Sequence, residues 1–266
     1  MEKMNTKASI KKISKDEYVL LETGEIKEFE KTENRSQSEN SIKQTLKKLR
    51  YLINNNFTGS KNELFLTLTY AENMLDPKKL YSDLDKFSKR LRYKFKDKTS
   101  IDYITVVEPQ ERGAWHAHIL LKFNELKTIY IPNQEMADCW GHGFVTVKGL
   151  KNVDNIGAYL SAYLADIELT EDNKDLIAHG SGVEEKEVNG VKKRFIKGAR
   201  LHLYPTGMNL YRKSVGMKYP ERKKMKYKNA RKKVGSVQPH FSQNIEISID
   251  DFSNNIAYEQ YNKLRK

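Results

Sequence analysis

The stretch IDYITVVEPQERGAWHAHILLKF, residues 101–123, decides the fold of this chain. Both halves of the stretch are rich in Val, Ile, Leu, Thr and aromatic residues, which favour extended backbone. Arg112-Gly113 lies between the halves, where a tight reversal needs a residue that tolerates unusual backbone angles. The stretch therefore predicts two antiparallel strands joined by a turn.

The second of these strands carries two histidines, His116 and His118. Side chains two residues apart on a strand share a face, so both imidazoles point to the same side. A turn at the centre of the stretch places Glu108 opposite His116 and Val106 opposite His118. Two imidazoles and one carboxylate predict a site for Mn, Zn, Fe or Ni, with Mg as a weaker occupant. Gln110 is the alternative third ligand, and a histidine pair on a solvated strand face is the alternative to a metal site.

Length and composition limit the class of protein. The 266 residues are enough for one large domain, or for a catalytic domain with a smaller companion. We expect no membrane span, because no apolar run is long enough and the start, MEKMNTKASIKK, lacks the apolar core of a signal peptide. The single cysteine, Cys139, excludes an internal disulfide, so we expect a cytoplasmic protein.

The net charge of +13 comes from one segment. Residues 190–234 contain 16 Lys and Arg against one acid, Glu221, and tyrosines are interleaved with these cations. Cations bind phosphates and tyrosine rings stack on bases, so the segment predicts nucleic-acid binding rather than a solvated basic tail. The predicted DNA-contacting residues are Lys192, Lys193, Arg194, Arg222, Lys223, Lys224, Arg231, Lys232 and Lys233.

The remaining patterns place the hairpin in an α+β fold. An antiparallel sheet with helices packed on it, rather than a doubly wound sheet, follows from the order of these elements. The predicted elements around the hairpin are a helix from residue 41, a strand at 63–70, a helix after Asp76-Pro77, a short helix at 132–140, a strand at 144–147 and a helix at 155–168. Thr67 and Thr69 share one face of the strand at 63–70, where they could meet the metal site or a phosphate.

Tyr159 and Tyr163 are four residues apart, so they emerge on one face of the last of these helices. They border the apolar stripe of Ile156, Leu160 and Leu164, and packing is the alternative interpretation of both rings. A phenol with a pKa of ~10 is a poor nucleophile and needs a metal to polarise its target. Together with the histidines and the basic segment, the tyrosines predict transfer of a phosphoryl group to the protein.

Three motifs resemble a known family when taken in order: FLTLTY at 65–70, EPQERGAWHAHILL at 108–121 and GAYLSAYL at 157–164. They look like the successive motifs of HUH endonucleases, in the form found in rolling-circle replication initiators of plasmids, phages and integrative elements of Gram-positive bacteria. The resemblance covers about residues 40–170. It implies a ferredoxin-like antiparallel sheet with the histidines on a central strand.

The resemblance also implies roles for individual residues. His116, His118 and Glu108 would hold Mn²⁺ or Mg²⁺, and Tyr159 and Tyr163 would be the nucleophiles of a two-tyrosine member. Many two-tyrosine relatives carry a lysine in the tyrosine helix, whereas this sequence has none between residues 152 and 173. An assisting cation must then come from elsewhere, with Lys148 and Lys151 as candidates.

The function implied is that of an initiator that nicks and rejoins single-stranded origin DNA through a 5′-phosphotyrosine. A host helicase and a host polymerase are the expected partners, because no Gly-x-x-x-x-Gly-Lys-Ser/Thr motif is present. A relaxase or a transposase would use the same chemistry. A non-catalytic DNA-binding regulator with a structural metal is a further alternative, although structural zinc normally needs four protein ligands.

The expected domain organisation follows from these assignments. We expect a polar N-terminal segment at 1–40, an HUH endonuclease domain at 41–170, an acidic linker loop at 171–189 and a basic DNA-contacting region at 190–266. Within the last region the sequence predicts short strands at 194–197, 201–204 and 245–249. A final helix capped by Asp250 or Asp251 is predicted after them.

Overall fold

The structure is a computed structural model. It describes residues 2–3, 10–14, 16–28, 39–150, 156–180, 182–188, 191–205, 207–249 and 252–261. The chain divides into two compact units. Residues 32–220 form the larger unit, and residues 1–31 with residues 221–266 form the smaller one.

The secondary-structure elements are numbered in chain order. The strands are β1 (Glu2–Lys3), β2 (Ile10–Lys12), β3 (Glu17–Leu20), β4 (Ile26–Glu28), β5 (Glu63–Tyr70), β6 (Ile101–Pro109), β7 (Trp115–Phe123), β8 (Gly143–Gly149), β9 (Ile167–Glu168), β10 (Val183–Val188), β11 (Val191–Ile196), β12 (Tyr211–Lys213), β13 (Phe241–Ile249) and β14 (Phe252–Gln260). The α-helices are α1 (Glu39–Asn56), α2 (Pro77–Phe95), α3 (Asn133–Trp140), α4 (Ile156–Ala165) and α5 (Tyr227–Val234), and 3-10 helices span Glu171–His179 and Ala199–Leu203. Among the described helices, none is both long and apolar enough to cross a membrane.

A five-stranded sheet is the centre of the larger unit. Its order is β12-β6-β7-β5-β8, and every neighbouring pair is antiparallel. Strands β5, β6, β7 and β8 follow one another along the chain with α2 after the first and α3 after the third. This connection and strand order confirm the predicted α+β fold with a ferredoxin-like sheet. The fifth strand, β12, comes from the basic segment and pairs with β6 at the edge.

The two faces of this sheet pack against different helices. Val107, Ala117 and Ile119 lie on one face, in a core shared with α2 and α3. Ile104, Val106 and Leu120 lie on the opposite face, in a core shared with α1 and α4. The side chains alternate between these faces along each strand, as a pleated sheet requires.

Helix α2 forms as its sequence predicts. The Asp76 side chain accepts a hydrogen bond from the Lys78 backbone N–H at 2.8 Å, and Pro77 occupies the first turn. These are the residues preferred at a helix start. The buried stripe contains Leu80, Leu84, Phe87 and Leu91, as predicted from their helical spacing.

The segment at 171–189 differs from the predicted loop. It contains a 3-10 helix and β10, which pairs with β11 in a small sheet of order β10-β11-β9. A capping box starts the helix, in which the Thr170 backbone N–H donates to Asn173 Oδ1 at 2.8 Å. The strand predicted at 201–204 was also wrong, because a 3-10 helix spans Ala199–Leu203.

The smaller unit contains two antiparallel sheets, with orders β1-β14-β13 and β2-β3-β4, and helix α5. The predicted strand at 245–249 belongs to β13, but the predicted final helix was wrong. Strand β14 stands in its place and pairs with β13 from Phe241↔Gln260 to Ile249↔Phe252. Asp250 and Asp251, expected to cap the helix, lie outside the described residues.

Candidate metal and DNA-cleavage site

The hairpin of β6 and β7 has the register that the sequence predicts. Glu108 pairs with His116, and Val106 pairs with His118. Between the strands, Gly113 has a φ of 82°, which a residue with a side chain rarely adopts. The three predicted ligands therefore lie on one face of the sheet, the face covered by α1 and α4.

His118 is held through both of its ring nitrogens. Its Nε2 lies 2.6 Å from Glu108 Oε2, and its Nδ1 lies 3.1 Å from the Thr67 hydroxyl. The Phe65 ring stacks on the imidazole with a centroid distance of 5.6 Å. Only 4% of the His118 surface is exposed. These contacts fix the position and the orientation of the imidazole.

His116 has a different environment. Its Nε2 atom is buried and has no hydrogen-bond partner among the described residues. Burial lowers the pKa of His116, while the charge of Glu108 acts in the opposite direction without cancelling the effect. A neutral imidazole with an unpartnered nitrogen has a lone pair available to a ligand.

Glu108 is buried but carries a charge. Burial acts to raise its pKa, yet the hydrogen bond with His118 and the charge of Arg200 outweigh that effect, so the pKa is lowered. Arg200 Nη1 lies 3.0 Å from Glu108 Oε1. Each carboxylate oxygen therefore has its own cationic or hydrogen-bonding neighbour. The prediction of Glu108 as the residue opposite His116 is confirmed, whereas Gln110 lies beyond the last cross-strand pair, Pro109↔Trp115.

These contacts do not form a coordination shell as they stand. Within the described parts of the chain, no group of three or more His, Cys, Asp or Glu side chains is arranged to hold a metal ion. The physical reason at this site is that His118 Nε2 and Glu108 are bonded to each other. The donor set nevertheless fits a divalent cation, since two imidazoles and one carboxylate share a face and one imidazole nitrogen is unpartnered among the described residues.

Helix α4 packs on the same face of the sheet. Its buried residues Ile156, Leu160 and Leu164 share a core with Val106 of β6. The helix also lies close to α1, because a Cβ at Gly157 would approach the Arg50 carbonyl oxygen to 2.7 Å. Glycine in the GAYLSAYL motif is thus required for helix packing.

The two predicted nucleophiles lie on α4, near the end of β6 that carries Glu108. The backbone of α4 packs against β6. The side chains of Tyr159 and Tyr163 lie outside the described part of the structure. Lys151, one of the two candidate assisting cations, also lies outside it, whereas Lys148 is exposed on β8.

The edge strand β8 extends the histidine face. Phe144 pairs with Thr69, which pairs with His116, so these three residues form one cross-strand row. The Phe144 ring is 72% exposed, which is unusual for a phenylalanine on a strand. Thr146 and Lys148 follow on the same face and are also exposed. An aromatic ring and a cation therefore lie along the edge of the sheet that is nearest to Thr69 and His116 in register.

The basic segment is distributed over both compact units. Lys192, Lys193 and Arg194 lie on β11 of the larger unit, where Lys192 lies 3.2 Å from Glu185 and Lys193 lies 2.9 Å from Glu168. The other predicted DNA-contacting residues lie in the smaller unit: Arg222, Lys223, Lys224, Arg231, Lys232 and Lys233.

Helix α5 is attached to β14 by one of its faces. Arg231 Nη1 donates to the Tyr261 hydroxyl at 2.6 Å, and the Tyr227 hydroxyl donates to Glu259 at 3.4 Å. Lys232 and Lys233 are exposed and form no ion pair with any residue that the structure describes. The lysines of α5, rather than Arg231, are therefore free to meet an external anion.

Arg200 is the site residue that the sequence did not reveal. It was counted only as one of the cations of the basic segment, yet it is 9% exposed and contacts Glu108. The two residues are far apart in the chain, and no local pattern marks a surface arginine from a buried one. Thr67 was recognised as a residue that could meet the metal site, and its contact with His118 confirms its place on the histidine face.

The fold and this cluster define a class of protein: a ferredoxin-like α+β domain with two histidines and a glutamate on one face of its sheet. Residues 63–168, which run from β5 to β9, match the model of a family described as replication-associated protein ORF2. The matched region contains the hairpin, both histidines and the tyrosine helix. No curated protein and no solved structure matches the chain.

Proposed function

We propose that this chain is a replication initiator of the HUH type, which nicks and rejoins single-stranded DNA at a rolling-circle origin. One observation carries the proposal. His116, His118 and Glu108 lie on the sheet face against which the two-tyrosine helix packs, within the region similar to replication-associated proteins. The match to that family supports a role in replication, and the cluster supports the chemistry.

The proposed reaction is a transfer of a phosphodiester to the protein. The hydroxyl oxygen of Tyr159 or Tyr163 attacks a DNA phosphorus, the new P–O(Tyr) bond forms, and the P–O3′ bond breaks. The phenol loses its proton and the departing 3′ oxygen gains one. The product is a 5′-phosphotyrosine and a free 3′-hydroxyl, which a host polymerase extends after a host helicase opens the duplex. The second tyrosine cuts the new junction, and rejoining needs no nucleotide because the ester energy is conserved.

The proposed cofactor is Mn²⁺ or Mg²⁺, held by His116, His118 and Glu108. When bound, the cation supplies positive charge next to the non-bridging oxygens of the phosphate. Thr67 orients His118 through Nδ1, and its hydroxyl can donate to or accept from that nitrogen. The buried setting of Glu108 and His118 keeps water away from their contact.

The exposed residues near the cluster support binding of a single strand. Phe144 offers a face on which an unpaired base can stack, and Lys148 follows it on the same side of β8. The basic residues on β11 and near α5 would bind phosphates without sequence preference. Lys232 and Lys233 contribute most on the smaller unit, because they are exposed.

The experiment uses single-stranded oligonucleotides that tile the DNA flanking the gene, each labelled at its 3′ end, with the full chain and Mn²⁺. A 5′-phosphotyrosine leaves the label on the protein, so a labelled band resists denaturant. We expect the adduct with the wild type and its loss in the Tyr159→Phe, Tyr163→Phe double variant. Tyr130→Phe is the matched control, since Tyr130 is 85% exposed and lies outside the site. An adduct that persists in the double variant would refute the nucleophile assignment.

A further inference from the structure

Arg200 belongs to the basic segment, but its location is that of a site residue. It follows the region that matches the replication family, which ends at residue 168. It is 9% exposed, whereas a phosphate-gripping arginine on a surface keeps its guanidinium in solvent. We propose that Arg200 is a positioning residue for DNA cleavage, which holds Glu108 and the end of the tyrosine helix in a fixed relation. This inference rests on the proposed function.

The guanidinium of Arg200 contacts two parts of the site at once. Nη1 lies 3.0 Å from Glu108 Oε1 and donates to the Pro109 carbonyl oxygen at 2.7 Å. Nε donates to the Asp166 carbonyl oxygen at 3.3 Å. Pro109 ends β6, and Asp166 directly follows α4. One side chain therefore connects the strand that carries the carboxylate with the helix that carries the tyrosines.

The segment around Arg200 is itself firmly anchored. The Gly198 backbone N–H donates to Asp166 Oδ1 at 3.1 Å, which makes a second connection to the end of α4. The Tyr204 hydroxyl, in a residue 1% exposed, donates to the Val107 carbonyl oxygen on β6 at 2.8 Å. Ala199 is fully buried. Arg200 is thus presented from a short 3-10 helix that is attached to both of its partners.

The geometry also assigns the two oxygens of Glu108. Oε1 faces Arg200 and Oε2 faces His118. With Oε1 held, the carboxylate cannot rotate freely and presents Oε2 toward the histidines. A lysine in place of Arg200 would keep one positive charge, but it could not reach all three acceptors with a planar fork. The arginine is therefore suited to positioning rather than to supplying charge alone.

The charge of Arg200 gives the inference a distinctive sign. A guanidinium next to Glu108 repels a divalent cation, so its removal should strengthen cation binding even though it loosens the carboxylate. The same removal should slow cleavage, because the carboxylate and α4 lose their common anchor. A purely structural residue would instead lower stability, cation affinity and rate together.

The test compares Arg200→Gln and Arg200→Lys with the wild type in three measurements: calorimetric titration with Mn²⁺ alone, the single-turnover rate of adduct formation at saturating Mn²⁺, and thermal unfolding. Arg200→Gln should bind Mn²⁺ about tenfold more tightly and form the adduct about 100-fold more slowly. Arg200→Lys should restore the wild-type Mn²⁺ affinity and remain about tenfold slow. Arg212→Gln is the control, because Arg212 lies 3.6 Å from Asp85 and stacks on Tyr81, outside the site.

The outcomes separate this inference from the proposed function. A wild-type chain that forms no adduct overturns the proposed function and, with it, the role of Arg200 in cleavage. A wild type that cleaves beside an equally fast Arg200→Gln variant overturns the inference alone. Mn²⁺ affinity that falls together with thermal stability in both variants also overturns it. If Arg200→Gln does not fold, Arg200→Lys decides, and a wild-type rate in that variant refutes the positioning role.

Discussion

Thr67 provides the sharpest test of how the histidine cluster works. Its hydroxyl lies 3.1 Å from His118 Nδ1, on the side of the ring opposite Glu108. A cation on Nε2 would require the proton to be on Nδ1, where the hydroxyl can accept it. Thr67→Val keeps the shape of the side chain but removes both the donor and the acceptor.

The structure allows two expected magnitudes to be separated. Loss of one hydrogen bond in a half-buried position costs about 1 kcal/mol of folding free energy, or about 2–4 °C in the unfolding temperature. Loss of the group that orients a metal-binding histidine lowers metal affinity by about 10- to 100-fold, equivalent to about 1.4–2.7 kcal/mol. Metal affinity should therefore fall substantially while the fold remains intact.

The assay is a calorimetric titration with Mn²⁺, followed by thermal unfolding of the same samples. Thr69→Val is the matched control, because Thr69 lies on the same strand and face, pairs with His116 and has no hydrogen bond to it. Wild-type Mn²⁺ affinity in Thr67→Val, or an equal loss in Thr69→Val, would show that the Thr67 hydroxyl does not orient a metal-binding histidine.

Three further predictions concern other parts of the molecule. Phe144→Ala should weaken binding of a single-stranded oligonucleotide about tenfold in fluorescence anisotropy, whereas Tyr93→Ala, equally exposed at 72% but on α2, should not; equal losses would contradict stacking on Phe144. Replacing Lys232 and Lys233 by Gln should reduce the slope of log Kd against log salt by about 1.4 for single-stranded DNA, and an unchanged slope would show that they do not contact phosphates. Asp83 is buried, and burial acts to raise its pKa, but its hydrogen bonds lower the pKa overall, so its contribution to stability should be present above about pH 4 and be lost as the pH falls further. Thermal unfolding at pH 5 and pH 3 should show a smaller loss in Asp83→Asn than in the wild type, and equal losses would exclude this contribution.

The central fold was predictable because local and long-range signals agree there. The alternating pattern of β5 and the capped, striped sequence of α2 each specify one element, and both formed with nearly the predicted bounds. The hairpin register was predictable because the turn at Gly113 and the apolar alternation leave only one pairing that buries Val107 and Ala117. Where several constraints coincide, the sequence alone determines the arrangement.

The outer regions were less predictable because their structure depends on distant partners. The Asp-Asp pair before β14 has the composition of a helix start, but pairing with β13 along the whole strand overrides that local preference. The acidic segment at 171–189 reads as a loop, yet β10 gains its partner from β11. Strand pairing of this kind leaves little signal in a short window of sequence.

The candidate site illustrates the same division at the level of single atoms. The sequence pattern treats His116 and His118 as equivalent, since both lie on one strand and one face. The structure makes them different: His118 is held at both nitrogens, while His116 keeps a buried Nε2 without a partner among the described residues. An unsatisfied buried donor or acceptor costs about 1–3 kcal/mol, and such groups are rare in folded proteins. A chain that keeps one next to a charged carboxylate retains it at a cost in stability, which is the expected condition of a nitrogen that binds a ligand.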